Sequence, residues 1–157
     1  MKFLANKFLP LDLARQTAIY IDQNCDLYTQ LSMGQVPHNG EAISYVMTAL
    51  QKEIRFLNGN IKRTFAFDIQ AKNKSWLTAI NTLDTIGSIL EGATRQDIHS
   101  NNGSFVFDKA RMRQPSKYLG YINDDDKKGT NTFAVYGAYF EITAVLNSRA
   151  AILNGGK

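Results

Sequence analysis

Asp124, Asp125 and Asp126 run directly into Lys127 and Lys128 in the stretch NDDDKKGTNTFAVYGAYFEITAVL, residues 123–146. Three carboxylates at the mouth of a strand are the kind of cluster that can hold a divalent cation or do acid–base work. The spacing opposes the first use. In a calcium-binding loop the ligands recur at alternate positions and a glutamate closes the loop at the twelfth. Counted from Asp124, the fifth, liganding position is filled by Lys128, next to Lys127, and Val135 stands twelfth. Adjacent aspartates on a turn also point in different directions. The cluster therefore reads as a solvated hairpin loop whose lysines partly neutralise its acids.

The remaining reactive side chains are few. Cys25 is the single cysteine, so an intramolecular disulfide and a Cys-x-x-Cys metal site are both excluded. A catalytic thiol needs a histidine, and the two present, His38 and His99, sit in polar Gly/Asn-rich sequence. Cys25 is expected to be a structural residue at a helix end. No glycine-rich loop has phosphate-binding spacing, and no G-x-S-x-G elbow occurs. Phe133, Tyr136, Tyr139 and Phe140 could form a stacking strip, but aromatics at period two on a long strand are read first as core and interface. Trp76 is read in the same way as a core anchor. The expectation is a protein that is not an enzyme, with no metal and no cofactor.

Composition agrees with a soluble domain. The 157 residues are 44% hydrophobic and 20% charged, enough for one domain over 1–157 with a core of its own. No apolar run reaches the ~18 residues of a membrane-crossing helix. In the opening MKFLANKFLPLDLARQ, Lys7 and Pro10 interrupt any signal-like apolar segment, so a cytoplasmic protein is expected. The net charge of +4 is mild, and the basic residues are scattered as Lys62-Arg63, Arg111, Arg113 and Lys127-Lys128. That is not the dense patch of a dedicated DNA-binding domain, and no RNP-like aromatic pattern accompanies it.

The elements that must position these residues follow from periodicity. Leu9–Asn24 reads as a helix with Pro10 in its first turn and a stripe of Leu11, Ala14, Ala18, Ile21 and Cys25. Leu27–Met33 alternates like a strand. Gly34–Glu41 is a loop, and Ile43–Ala49 fits either a strand or a short helix. Asn58-Gly59 predicts a type I′ hairpin turn. Beyond it, Ile61, Phe65, Phe67, Ile69 and Ala71 alternate with Lys62, Thr64, Asp68 and Gln70, with Arg63 breaking the apolar face where it can reach solvent. Asn73 or Ser75 caps a helix over 75–90 with a stripe of Trp76, Ile80, Leu83, Gly87 and Leu90, widened by Leu77 and Ile86, and Gly92 stops it. Gly87, costly in a helix interior, implies a close approach to the sheet or the other helix. Arg95–Gly103 is a loop. Ser104–Asp108 is a short edge strand, Arg111–Ser116 is irregular, and Tyr118–Ile122 is a strand. A long strand, Phe133–Leu146, carries Ala134, Tyr136, Ala138, Phe140, Ile142 and Ala144 on one face. Residues 147–157 read as a frayed tail. This order predicts an α+β fold, a mostly antiparallel sheet with two helices packed on one face.

Two stretches carry a family resemblance. NGNIKRTFAFDIQAKNKSWLTAINTLDTIGSILE, Asn58 to Glu91, combines a turn, an alternating strand and a helix that carries Trp76 with Leu77, Leu83 and Leu90. DDDKKGTNTFAVYGAYFEITAVL, Asp124 to Leu146, combines an acidic Gly-containing turn with an aromatic alternating strand. With the opening helix, they resemble the tail terminator proteins of long-tailed, siphophage-type bacteriophages, also called minor capsid proteins. The fit is loosest over Gly34–Ala49 and Arg111–Ser116. The resemblance implies a homo-hexameric ring that caps the head-proximal end of the tail tube and stops polymerisation of the major tail protein. The ring then docks the head-completion or stopper protein, with viral DNA passing through the lumen without sequence-specific binding. It implies a place in the virion, at the head–tail interface, and in the host cytoplasm during assembly. Contact surfaces are expected on the loops Gln35–Gly40, Thr94–Gly103 and Arg111–Ser116 and on the edge strand, which could pair between subunits. The candidate contact residues are Gln35, His38, Asn39, Phe105, Arg111, Arg113, Asp124, Asp125, Asp126, Lys127 and Lys128. Another head–tail joining protein, such as a head-completion or tail tube subunit, is the alternative. A small enzyme with an unrecognised carboxylate site is the second.

Overall fold

A computed structural model describes residues 8–123 and 132–148. The elements run α1 (Leu13–Asn24), β1 (Leu31–Met33), β2 (Ala42–Arg55), β3 (Ile61–Asn73), α2 (Trp76–Glu91), β4 (Phe105–Asn123) and β5 (Thr132–Leu146). The strands form one sheet in the order β1-β2-β3-β5-β4. Only β1 and β2 pair in parallel, and every other neighbour is antiparallel. The fold is α+β, as the element order predicts.

The core lies between the helices and one face of the sheet. Phe67, Ile69, Phe140 and Ile142 point from β3 and β5 into it, and Leu83, Ile86 and Leu90 meet them from α2. The buried row of α2 is Ala79, Leu83, Ile86, Gly87 and Leu90. Gly87 is the close approach: a Cβ there would stand 2.6 Å from Met112 Cε on β4 and 3.4 Å from Phe140 Cε1 on β5. Ser75 caps the helix, its hydroxyl accepting the Thr78 N–H at 3.2 Å, while the Asn73 side chain accepts the Ser75 N–H at 2.8 Å. Both predicted cap residues are therefore used, in series. Trp76 and Leu77 are not core; both are more than half exposed, and the small Ala79 takes the first buried position. Gly92 ends the helix, in right-handed geometry with φ −87°.

Other expectations are corrected. Helix α1 starts at Leu13, not Leu9, so Pro10 lies outside it, and its buried residues are Leu13, Gln16, Thr17 and Ile21. Cys25 caps its C-terminus and is buried, as expected. The strand expected over Leu27–Met33 shrinks to Leu31–Met33. Upstream of it the Tyr28 hydroxyl lies 2.8 Å from the Ala42 carbonyl and 2.9 Å from that of Lys72, which anchors this segment by a side chain in place of a ladder. The ambiguous Ile43–Ala49 lies within the 14-residue strand β2, which continues through the polar QKEIR because β3 supplies its partner along the whole length.

The β2–β3 turn is not type I′. Gly59 alone has positive φ, at 92°, and its N–H bonds the Phe56 carbonyl at 3.1 Å. That is a tight turn closed by a left-handed glycine, with Phe56 N–H bonded to the Asn60 carbonyl at 2.9 Å. Arg63 does interrupt the apolar face, where it is partly exposed and pairs with Glu53 at 2.7 Å. The three pieces expected over Ser104–Ile122 are one 19-residue strand, β4, bent by register shifts at four places. Arg111–Ser116 looked irregular because of these shifts and Pro115. On β5 the expected face is buried at Ala138, Phe140, Ile142 and Ala144, and Phe133, Val135 and Thr143 are buried from the other side as well.

Candidate functional site

The helix-free face of the sheet is where the chemistry collects. At the end nearest β1 the loop over residues 34–41 is tied down by Lys72. This lysine is fully buried; its ammonium donates to the Pro37 and His38 carbonyls and lies 4.7 Å from the centre of the Phe133 ring. Gln35, His38 and Asn39, three candidate contact residues, are exposed on this loop. The loop is thus held by backbone carbonyls while its side chains face outward.

Toward the β2–β3 turn the same face is open and concave. A groove of about 400 Å³ is lined by Lys52 and Ile54 of β2, Lys62 and Thr64 of β3, Lys109, Arg111 and Arg113 of β4, and Glu141 and Thr143 of β5. The register explains the convergence. Lys52 pairs Thr64, Thr64 pairs Thr143, and Thr143 pairs Lys109, so one row across four strands has a lysine at each end. The two threonine hydroxyls at its centre are 3.0 Å apart. At about 4.8 Å per strand, the row is about 14 Å long. In the next row Arg111 stands opposite Glu141. Arg113 reaches Glu141 at 3.5 Å, and Lys62 reaches Asp108 at 3.0 Å. Among the described residues Lys52, Lys109 and Arg111 have no such carboxylate partner.

The groove gathers two candidate contact residues, Arg111 and Arg113, with three lysines that sequence reading did not select. The signal was present in alternation: 52 and 54, 62 and 64, and 109, 111 and 113 are same-face positions on strands. What was missing was the strand itself, because β4 had been divided.

The other candidates are not brought to this place. Phe105, expected on an exposed edge, is 3% exposed and belongs to the core. The edge of β4 is also poorly suited to pairing with a second copy. Register shifts, Pro115 and the charges of Lys109, Arg111, Arg113 and Lys117 are the devices that discourage edge-to-edge pairing. Asp124, Asp125, Asp126, Lys127 and Lys128 lie outside the described residues. The loop over 94–104 is fastened to the start of α1: the Asp12 carboxylate accepts from Ser100 Oγ at 2.7 Å, Asn101 N–H at 2.9 Å and Ser104 Oγ at 2.9 Å. Burial alone would raise the Asp12 pKa, but the three donors together outweigh it and hold the carboxyl below its ordinary 3.8.

Burial, with Asp22 nearby, pushes the Cys25 thiol up to about 11, so the nucleophilic thiolate is scarce at neutral pH. Among the described residues no three His, Cys, Asp or Glu side chains are grouped to hold a metal ion. No helix among them is long and apolar enough to cross a membrane. A scan against protein-family models gives no match to this sequence, and a search of the curated proteins gives none either.

Proposed function

We propose that this chain is a structural assembly protein of a long-tailed phage, a tail terminator that forms a ring on the head-proximal end of the tail tube. In this role it stops polymerisation of the tube protein and presents a docking face to the head-completion or stopper protein, with viral DNA passing through the ring. The observation that carries the reading is the ordered run from the Asn58-Gly59 turn through β3 into the Ser75-capped helix α2, with the aromatic strand β5 beside β3. That order is the pattern on which the family resemblance rests. A broad sheet with one face sealed by helices and one face open also suits an assembly subunit, which must keep surface for neighbours after its own core is closed.

The test is a mass measurement in solution, alone and with the tail tube protein, followed by electron microscopy of particles made without this protein. Rings, and tails of abnormal length or unattached to heads when the protein is missing, are expected. A strictly monomeric protein in both settings, or normal tails joined normally in its absence, would remove the reading.

A further inference from the structure

We propose that the groove on the helix-free face binds the phosphate backbone of double-stranded nucleic acid, without reading its sequence. The inference concerns the single chain and does not depend on ring assembly.

Charge is the first argument. Five of the chain's 18 lysines and arginines line one concavity, against one carboxylate in the lining, Glu141. With the nearby Asp108 pairing Lys62, cations remain in excess, and Lys52, Lys109 and Arg111 have no carboxylate within 4.0 Å among the described residues. Like charges gathered on a rigid sheet repel one another, and a polyanion relieves that repulsion while releasing its own counterions.

Geometry is the second. Lys109, Arg111 and Arg113 repeat at two-residue steps, about 6.6 to 6.8 Å each before bending, and Lys52 faces them across about 14 Å. This is a two-dimensional array of fixed charges with an open floor. Between the two lysines lie Thr64 and Thr143, whose hydroxyls can turn toward a phosphate oxygen. Arginine guanidinium groups offer paired donors that match phosphate. A regular polyanion suits such an array better than a flexible acidic peptide, which must lose conformational freedom to match it.

The lining also selects the form of nucleic acid. None of the nine lining residues is aromatic. Proteins that hold single strands stack bases on aromatic rings, and this groove has no such platform. A duplex, which keeps its bases stacked internally and presents phosphates, needs none.

The experiment uses the full chain and a fluorescein-labelled 20-base-pair duplex of arbitrary sequence, with anisotropy followed from 50 to 200 mM salt. Neutralising about three phosphates gives a log–log slope of about −2.7, a loss of about 40-fold over that range. K109A/R111A is expected to flatten the slope by about two and to weaken binding at 50 mM salt more than tenfold. E141Q removes the lining's carboxylate and is expected to tighten binding, an effect that a misfolded variant could not mimic. R95A, which removes an exposed charge outside the groove, should change little. The proposal is overturned if the duplex does not bind at 50 mM salt, or if K109A/R111A and E141Q leave binding unchanged. It is also overturned if the single strand binds more tightly than the duplex, or if polyglutamate competes as well as the duplex does. That last outcome would assign the groove to an acidic protein segment.

Discussion

Replacing Gly87 by alanine tests the closeness of α2 to the sheet, on which the whole core depends. The added methyl would stand 2.6 Å from Met112 Cε, about 1 Å inside the 3.5–4.0 Å of a comfortable carbon contact, and 3.4 Å from Phe140 Cε1. Overpacking of this kind costs about 1 to 3 kcal/mol. The obstruction is the end of a flexible, partly exposed side chain, so the low half of that range applies, about 1 to 2 kcal/mol. Against it, alanine gains about 1 kcal/mol over glycine inside a helix. G87A alone should therefore be neutral to about 1 kcal/mol destabilising. In an M112A background the obstruction is gone and only the helix gain remains, so G87A should stabilise by about 1 kcal/mol, or about 2 to 4 °C in a domain of this size. Urea and thermal unfolding of the four proteins of the cycle give the coupling, expected at about 1 to 2 kcal/mol. If G87A has the same effect in both backgrounds within about 0.5 kcal/mol, helix α2 does not approach β4 as closely as described and the reasoning fails.

Two further predictions concern the fastened loops. D12A removes the acceptor of three hydrogen bonds at a half-buried position and should cost about 1 to 2 kcal/mol near pH 7. The folded pKa of Asp12 lies below the ordinary 3.8, so its contribution is complete above that value and is lost as pH falls through the folded pKa. The stability gap between wild type and D12A should thus close in strong acid, and a gap that widens on acidification refutes the assignment. K72A leaves a cavity and strips a donor from the Pro37 and His38 carbonyls, at a cost of about 2 to 4 kcal/mol. Hydrogen exchange should speed up selectively over residues 34–41; unchanged protection there means that Lys72 does not hold the loop.

What was legible in the sequence, and what was not, follows from where the information resides. β3 was readable because its sequence alternates apolar with polar residues, although Ala66, Lys72 and Asn73 are buried as well, and α2 because its cap and its glycine each have a local physical reason. β4 was not readable as one strand. Its register shifts make alternation fail, and Pro115 mimics a break, whereas its unity comes from β5 lying beside it throughout. Trp76 was misplaced because it stands first in α2, where the helix has only begun, and the buried row starts at Ala79. The groove was hidden for a third reason. Lys52 and Lys62 sit on one hairpin, but Lys109 is distant in the chain, and only the strand order β2-β3-β5-β4 brings it into a row with Lys52.

The same strand order determines which surfaces remain for partners. The inner side of the helices is closed by the core, while their outer side stays open, with Trp76 and Leu77 more than half exposed. The outer edge of β4 is long enough to attract another strand, yet its bends, Pro115 and its row of cations oppose pairing. On the other side β1 covers only Ile43–Tyr45 of β2, so among the described residues the rest of β2 is a sheet edge as well. Among the surfaces that remain are the open face and the loops at its ends, beside the outer side of α2 and the uncovered part of β2. An assembly built on the open face would join subunits through side chains and loops, and raising salt would weaken it where the basic groove meets acidic groups of a neighbour. An assembly built on edge pairing would resist salt, since backbone hydrogen bonds carry it. Raising salt on any oligomer of this protein therefore separates the two modes. Dissociation supports contact between the basic groove and an acidic neighbour, and an oligomer indifferent to salt points to a sheet edge, on β4 or β2.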